Sequence, residues 1–396
     1  MIYAIYALSG ASLLAWIALI LARGRFWWPS PRLDHAPPRD GHLATDEPSV
    51  AAVIPARDEA AILPTSLPSV LRQDYAGMVR IVLVDDNSKD GTAAVAVRVA
   101  ERTGRRERLA VHRGTPLPPG WSGKVWAMAQ GAARAGSVDY LWFTDADIAH
   151  EPWVLDALVG LAESRRLDLV STMATLRVDS AWDRLLVPAF VYFFAKLYPF
   201  RFVGNPKRRA AGAAGGCVLV RRDALQAAGG FAGIRGALID DCALARLVKT
   251  AGGRLWLGFS RGVQSVRSYG SLRSVWDMVA RSAYTQLGHS PLNLAGTVLA
   301  MLLLYAWPPL AALAGAVAAG IGVVSAVPVA LAAGVTWCVL AASFVPMLRH
   351  HGVSAATAPL LPAAGILYAA MTVSSAWRHT RGRGGAWKGR SYSLDD

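Results

Sequence analysis

The stretch Tyr140–His150, YLWFTDADIAH, is an apolar run that stops abruptly in two aspartates separated by one alanine. Such a run predicts a buried strand, and placing Asp145 and Asp147 together at its end is costly unless a cation or a proton offsets their repulsion. The pair therefore suggests a metal site, with two solvated loop acids as the alternative. Between about Ser49 and Ser268, short β-rich runs alternate with helical patterns. VAAVI (Val50–Ile54) precedes a helix with Ile62, Leu67, Val70 and Leu71 on one face, and VRIVLV (Val79–Val84) precedes one beginning near Thr92. Further apolar runs lie at Leu109–Val111 and Leu167–Val170. This alternation predicts a largely parallel α/β sheet covered on both faces. Ligands of such sheets bind beyond the carboxyl ends of the strands. Each acidic cluster falls there: Asp58-Glu59, Asp85-Asp86, and Asp145 with Asp147.

No GxGxxG follows the first strand and no GxxxxGK[ST] occurs, which argues against a dinucleotide oxidoreductase or a P-loop enzyme. Several carboxylates with few glycines suit a metal-bridged nucleoside diphosphate, because the cation supplies the positive charge that a phosphate cradle otherwise would.

The flanks read differently. The chain has 396 residues, 54% of them hydrophobic, and a formal net charge of +14. Its basic residues collect beside apolar segments, as on the cytoplasmic face of membrane proteins, so a membrane surface rather than nucleic acid is the expected partner. Cys217, Cys242 and Cys338 have no paired spacing, which signals neither a disulfide framework nor a structural zinc and places the main domain in a reducing compartment. Residues Ile2 to Ala22 are apolar and precede Arg23, Arg25 and a proline-rich linker. We read 1–23 as an uncleaved transmembrane anchor and 24–48 as the linker. The domain at 49–268 is then cytoplasmic, on the inner (plasma) membrane of the cell.

The chain is almost uncharged from Pro291 to Leu348, has another apolar segment at about Ala358–Trp377, and ends in a tail (378–396) with Arg378, Arg381, Arg383, Lys388 and Arg390. A cytoplasmic tail requires an even number of spans after the domain. Breaks at Pro308-Pro309 and near Pro328 give about four transmembrane helices in 291–377, two being the other option; 269–290 is expected to be an interfacial helix.

The α/β segment resembles family 2 inverting glycosyltransferases, which have the GT-A (Rossmann-like) fold and use nucleotide-diphospho-sugars. The likeness is carried by the order of VIPARDE (Val53–Glu59), VDDNSKDGT (Val84–Thr92), GKVWAMAQG (Gly123–Gly131), DAD (Asp145–Asp147), GGCVLVRRDAL (Gly215–Leu225) and IDDCALARLVK (Ile239–Lys249). With RSAYTQL (Arg281–Leu287), WKGRSY (Trp387–Tyr392) and the apolar flanks, the chain looks most like the hopene-associated branch.

That resemblance implies roles. Pro55, Glu59 and Asp86 would line the base and ribose pocket, Asp86 accepting from the uracil ring N–H; a turn built by DDNSKDG is the alternative, and the two can coexist. Asp147 would bind Mg²⁺ or Mn²⁺, with Asp145 coordinating or contacting the ribose. Lys124 would meet the diphosphate or a metal-site carboxylate. Gly215 and Gly216 would let backbone approach the donor sugar or the acceptor. Asp241 would be the base that takes the acceptor hydroxyl's proton, with Asp240 beside it on the acceptor side where the family commonly has Glu. Helix capping is its alternative, and a helix N-terminus would lower its pKa. The family's (Q/R)xxRW signature is reduced to Arg281 in MVARS, leaving a diphosphate contact or an interfacial residue.

The segment Leu185–Val203 could mimic a span. A crossing there would separate Asp145 from Asp241, so it is expected to be an interfacial or re-entrant helix with Lys196 and Arg201 snorkelling. The expected activity is metal-dependent transfer of a sugar from a UDP-sugar to a lipid hydroxyl, with a hopanoid as the acceptor implied by the resemblance. A processive polysaccharide synthase and a non-catalytic transporter or lipid-binding protein are the alternatives.

Overall fold

The computed structural model describes residues 2–35, 47–382 and 384 of the chain. In chain order its principal elements are α1 (Ile2–Ala22), β1 (Val50–Ala56), α2 (Leu63–Leu71), β2 (Val79–Asp85), α3 (Thr92–Arg102), β3 (Leu109–Arg113), α4 (Gly123–Arg134), β4 (Tyr140–Phe143), β5 (Ile148–His150), α5 (Val154–Arg165), β6 (Leu169–Thr175) and α6 (Ala181–Leu197). They continue with α7 (Phe200–Val203), β7 (Val218–Arg221), α8 (Arg222–Ala227), α9 (Asp240–Thr250), β8 (Leu255–Ser265), α10 (Leu272–Gln286), α11 (Pro291–Met301), α12 (Trp307–Gly320), α13 (Val327–His350) and α14 (Leu361–Thr380). WKGRSY, Arg383, Lys388 and Arg390 lie outside the described residues. The described residues divide into an α/β unit (Ser30–Arg177 and Phe200–Ser268) and a helical unit (the residues up to Pro29, Val178–Pro199 and those from Tyr269 to Gly384).

Among the described residues, the α/β unit is an eight-stranded sheet in the order β3-β2-β1-β4-β7-β6-β8-β5. Strands β3, β2, β1 and β4 are parallel neighbours and β6 pairs with β8 in parallel, while β7 and β5 are antiparallel to their neighbours. All seven residues of β1 are buried. Its run VAAVIPA lacks alternation, as the centre of a sheet covered on both faces requires. Because β1, β2 and β4 run in parallel, the loops after them leave from one edge and carry their acids together.

Two of those loops are stitched to each other. Asp58 N donates to Ser88 Oγ (2.9 Å), Lys89 N to Asp58 Oδ1 (2.8 Å), Glu59 N to Thr92 Oγ1 (2.9 Å) and Ala60 N to Asp90 Oδ2 (2.8 Å). The turn-forming residues of DDNSKDG therefore shape the loop, and Asn87 takes the left-handed conformation it tolerates (φ 56°).

Among the described residues, five helical stretches are long and apolar enough to cross a membrane: Ile2–Ala22, Ala181–Val203, Pro291–Gly320, Val324–His350 and Ala355–Thr380. The four apolar C-terminal helices are present as α11, α12, α13 and α14. No break occurs at Pro308-Pro309, however: α11 and α12 run on through a π-helical turn, Leu302–Ala306, so the four make three long stretches. The prolines fall in the first turn of α12, where a missing N–H costs little.

Contacts within the helical unit set the levels of these helices against one another. Gly365 of α14 packs on the ring of Tyr305, near the middle of α11–α12. Further along α14, Ser374 Oγ accepts from Trp276 Nε1 (3.0 Å), Ser375 Oγ from Tyr284 N (3.0 Å) and Asp277 pairs with Arg378 (2.7 Å). Tyr284, Trp276 and Asp277 belong to α10, which precedes α11. At 1.5 Å per residue, α14 thus covers only about the half of α11–α12 that lies nearest α10. The segment before it climbs back along α13, where Trp337 Nε1 donates to Pro359 O (3.1 Å).

Helix α6 packs within its own unit: Tyr192 Oη lies 2.6 Å from Ser343 Oγ, and Tyr368 Oη donates to Leu186 O (2.9 Å). Ser180 and Asp183 form a capping box at its start, and Arg23 donates to the carbonyls of Lys196 and Leu197 at its end (3.0 and 3.3 Å). Lys196 Nζ donates to Tyr305 Oη (2.6 Å).

Candidate active site

The site is assembled at the carboxyl edge of the α/β sheet by two cationic side chains, each holding acids from different loops. The first is Lys124, in the first turn of α4. Ser122, which precedes that helix, donates from its N–H to Arg235 O (2.7 Å) and from Oγ to Ala237 O (2.9 Å), so the start of α4 is fastened to the segment leading into α9. Lys124 Nζ consequently reaches both Asp145 Oδ1 (2.9 Å) and Asp240 Oδ2 (3.2 Å). Burial works to discharge it, but Asp145 and Asp240 outweigh burial and keep the ammonium charged well above its ordinary range.

Asp241 is held by two backbone N–H groups. Its Oδ2 accepts from Gly215 N (2.8 Å) and its Oδ1 from Cys242 N (2.7 Å). The N-cap of α9 is Ile239, whose side chain caps nothing, so Asp241 is not a conventional N-cap. The helix terminus does not lower its pKa as the sequence predicts: burial and the adjacent Asp240 push it up to about 6, against the pull of Lys124 and the two backbone N–H groups. Loss of hydration outweighs the helix terminus because the carboxylate sits inside the cluster rather than at a solvated helix end.

Gly215 and Gly216 serve differently. A Cβ on Gly215 would stand 3.3 Å from Lys124 Nζ and 3.4 Å from Asp241 Oδ2, so its lack of a side chain lets the backbone N–H close on the carboxylate. A Cβ on Gly216 would press on Ile148 (3.1 Å), which makes it a packing position. Thr144 Oγ1 donates to Gly216 O (3.0 Å) and so accepts from His150 Nε2 (2.8 Å), tying the GGC segment to the end of β4. Burial pushes His150 down to about 3, and its imidazole is neutral.

The second cation is Arg267, which the motifs did not single out. Nη2 donates to Glu59 Oε2 (2.6 Å) and Nε to Asp147 Oδ2 (3.1 Å). It follows β8, whose pairing with β5 sets Ser265 opposite Ile148, and Val266 N donates to Asp147 O (2.9 Å). Only the isolated arginine at the end of a strand could have signalled it in the sequence.

Asp145 and Asp147 therefore face different partners, and burial, with Asp147 and Asp240 beside it, pushes Asp145 up to about 6 despite Lys124. Asp86 is 2% exposed, with Arg57 Nη1 on its carbonyl (2.7 Å) and 3.4 Å from Oδ2. Pro55 lies on β1 opposite Val84. Arg281 is exposed on α10 of the helical unit, with no polar partner among the described residues.

Among the described residues no three His, Cys, Asp or Glu side chains converge as a ready metal cage. The donor set nevertheless fits a hard cation. Five carboxylates (Glu59, Asp145, Asp147, Asp240, Asp241) meet two cations (Lys124, Arg267), which leaves an excess of negative charge. Mg²⁺-type sites characteristically use one or two carboxylates and take their remaining ligands from phosphate and water.

Known proteins are similar to this chain at two levels. The family model of glycosyl transferase family 21 matches residues 10–396. The chain is 33% identical over 141 residues (34% of this chain, 38% of the relative) to an undecaprenyl-phosphate 4-deoxy-4-formamido-L-arabinose transferase of Pseudomonas savastanoi pv. phaseolicola. It is 35% identical over 112 residues (28% of this chain, 24% of the relative) to an N-acetylglucosaminyltransferase of Rhizobium leguminosarum bv. viciae. These matches span less than half the length of either relative. The solved mannosyltransferase PcManGT of Pyrobaculum calidifontis, in complex with GDP-Man and Mn²⁺, has a TM-score of 0.52 at 17% identity, covering 95% of this chain and 99% of that one. That likeness establishes the GT-A fold.

Proposed function

Because the chain belongs to glycosyl transferase family 21, we propose that it is a membrane-bound inverting enzyme that moves a sugar from a UDP-sugar to a hydroxyl of a lipid. The observation that carries this reading is the Lys124 clasp, which holds a DAD carboxylate and Asp240 on one ammonium with Asp241 alongside. Asp147, with Asp145, would hold Mg²⁺ or Mn²⁺, and such an ion supplies charge neutralisation to the departing diphosphate. Glu59 and Pro55 border the base and ribose, and Asp86 accepts from the uracil N–H. Asp241 takes the proton of the acceptor hydroxyl. Its raised pKa suits that task, since a base works best when its proton affinity lies near the operating pH. Lys124 keeps Asp145 and Asp240 from repelling one another and orients the pair.

The lipid stands as a class. A hopanoid is the acceptor to which the hopene-associated likeness points. The relative named for undecaprenyl phosphate favours a second reading, a lipid phosphate. A phosphate oxygen is already anionic at neutral pH and needs no base, so dependence on Asp241 separates the two.

We place the α/β unit in the cytoplasm. The levels of α14 support two complete crossings, α11–α12 and α13, followed by a hairpin that enters about half the bilayer and returns. That arrangement keeps the basic tail on the side of Arg23 and Arg25. Asp147→Ala should abolish Mn²⁺-dependent UDP-sugar binding in calorimetry while leaving the thermal melt of the detergent-solubilised protein in place. Unchanged metal-dependent affinity would overturn the metal assignment.

A further inference from the structure

Arg267 has a role that no motif assigns. Its guanidinium spends Nη2 on Glu59 and Nε on Asp147, Nη1 has no partner among the described residues, and the side chain is 41% exposed. It therefore sits on the aspartate that would take the divalent cation, with donors left over on an open flank. A guanidinium is suited to both positions this implies, because its planar fork matches a carboxylate as well as a phosphate.

We infer that Arg267 is an exchangeable cation: in the metal-free enzyme it neutralises Asp147 and Glu59, and in the donor complex it leaves Asp147 and grips the diphosphate. The inference rests on the nucleotide-sugar reading proposed above. Charge decides the direction of exchange. With five carboxylates against Lys124 and Arg267, a divalent cation on Asp147 removes the reason for Arg267 to stay there. The diphosphate brings the negative charge that the released guanidinium then meets. Metal and nucleotide each favour the same displaced position of Arg267, so each tightens the other by the same factor. This arginine thereby supplies a cationic fork from outside the (Q/R)xxRW signature, of which the chain keeps only Arg281.

The test uses the full-length protein in detergent, with Mn²⁺ alone followed by electron paramagnetic resonance, and UDP at saturating Mn²⁺ followed by calorimetry. Arg267→Met should bind Mn²⁺ alone about threefold more tightly, the scale of an ion pair removed from competition. It should bind UDP at least about tenfold more weakly, the scale of lost charge-assisted hydrogen bonds. Arg267→Lys should recover part of the UDP affinity. Opposite signs for metal and nucleotide establish the exchange. Weakening of both together, as a merely structural arginine would give, overturns it, and so does no change in either. If the wild-type protein binds neither UDP nor another nucleoside diphosphate with Mn²⁺, it is the donor reading that is lost.

Discussion

At the scale of single residues, Asp240 and Asp241 stand in different environments that their adjacency disguises. Asp240 is 8% exposed and paired with Lys124, whereas Asp241 is fixed by two backbone N–H groups and lifted toward neutrality. Replacing Asp241 by Asn keeps the size but puts an amide NH2, a donor, in place of one acceptor oxygen, so one backbone N–H loses its partner at a cost of about 1 kcal/mol. Transfer to a hydroxyl acceptor should fall at least about a hundredfold, because an amide cannot take the proton. UDP affinity should stay near normal and Asp240→Asn should be milder, both measured with a radiolabelled donor; normal transfer by Asp241→Asn would move the base elsewhere or point to a phosphate acceptor. The pH profile supplies a second check. A carboxyl raised to about 6 is protonated below that value, so kcat/KM should rise through pH 6 and flatten above it. Stability runs the other way: between about pH 4 and 6 the folded state binds the proton more tightly than the unfolded chain, so this group's contribution is lost as pH increases. An acid limb near pH 4 would contradict the assignment. The residue types of this cluster were legible from the motifs. The raised pKa was not, because it depends on burial and on a neighbour's charge.

At the scale of elements, α14 is the helix whose meaning changed most. Its length and composition describe a candidate span, and its Gly365 meets Tyr305 near the middle of α11–α12. Gly365 is where that packing is tightest, since a Cβ there would lie 2.6 Å from Tyr305 Cγ. Gly365→Val should therefore lower stability by about 1–3 kcal/mol through forced displacement of the Tyr305 ring. The expected result is a lower detergent melting temperature, while Gly334→Val, at an α13 glycine with open space around it, serves as the control. Equal melting of the two variants would remove the case for a close α14–Tyr305 contact. The strands tell the complementary story. β1, β2 and β4 were readable because each is a short apolar run ending in acids. β5 is three residues long and β8 follows a helix without an acidic end, so neither carried a signal, and Arg267 went unnoticed with them.

At the scale of the whole molecule, the question is which segments share a side of the membrane. In a Cys338→Ser background, cysteines placed at Gly24, Lys89 and Thr380 should all be shielded in intact cells from an impermeant thiol reagent, and one at Val323, between α12 and α13, should react. Labelling at Thr380 with shielding at Gly24 would make α14 a full crossing. The sequence by itself determined that a parallel-rich α/β domain with acids at its strand ends lies between apolar flanks. Hydrophobic periodicity and the costs of buried charge are local properties, written into consecutive residues. Only the tertiary structure decided which acid meets which cation, how far α14 penetrates its bundle and that α11 and α12 are one helix. Lys124 reaches Asp240 across 116 positions and Arg267 reaches Asp147 across 120. Such pairings depend on strand order and helix packing, which no run of neighbouring residues encodes.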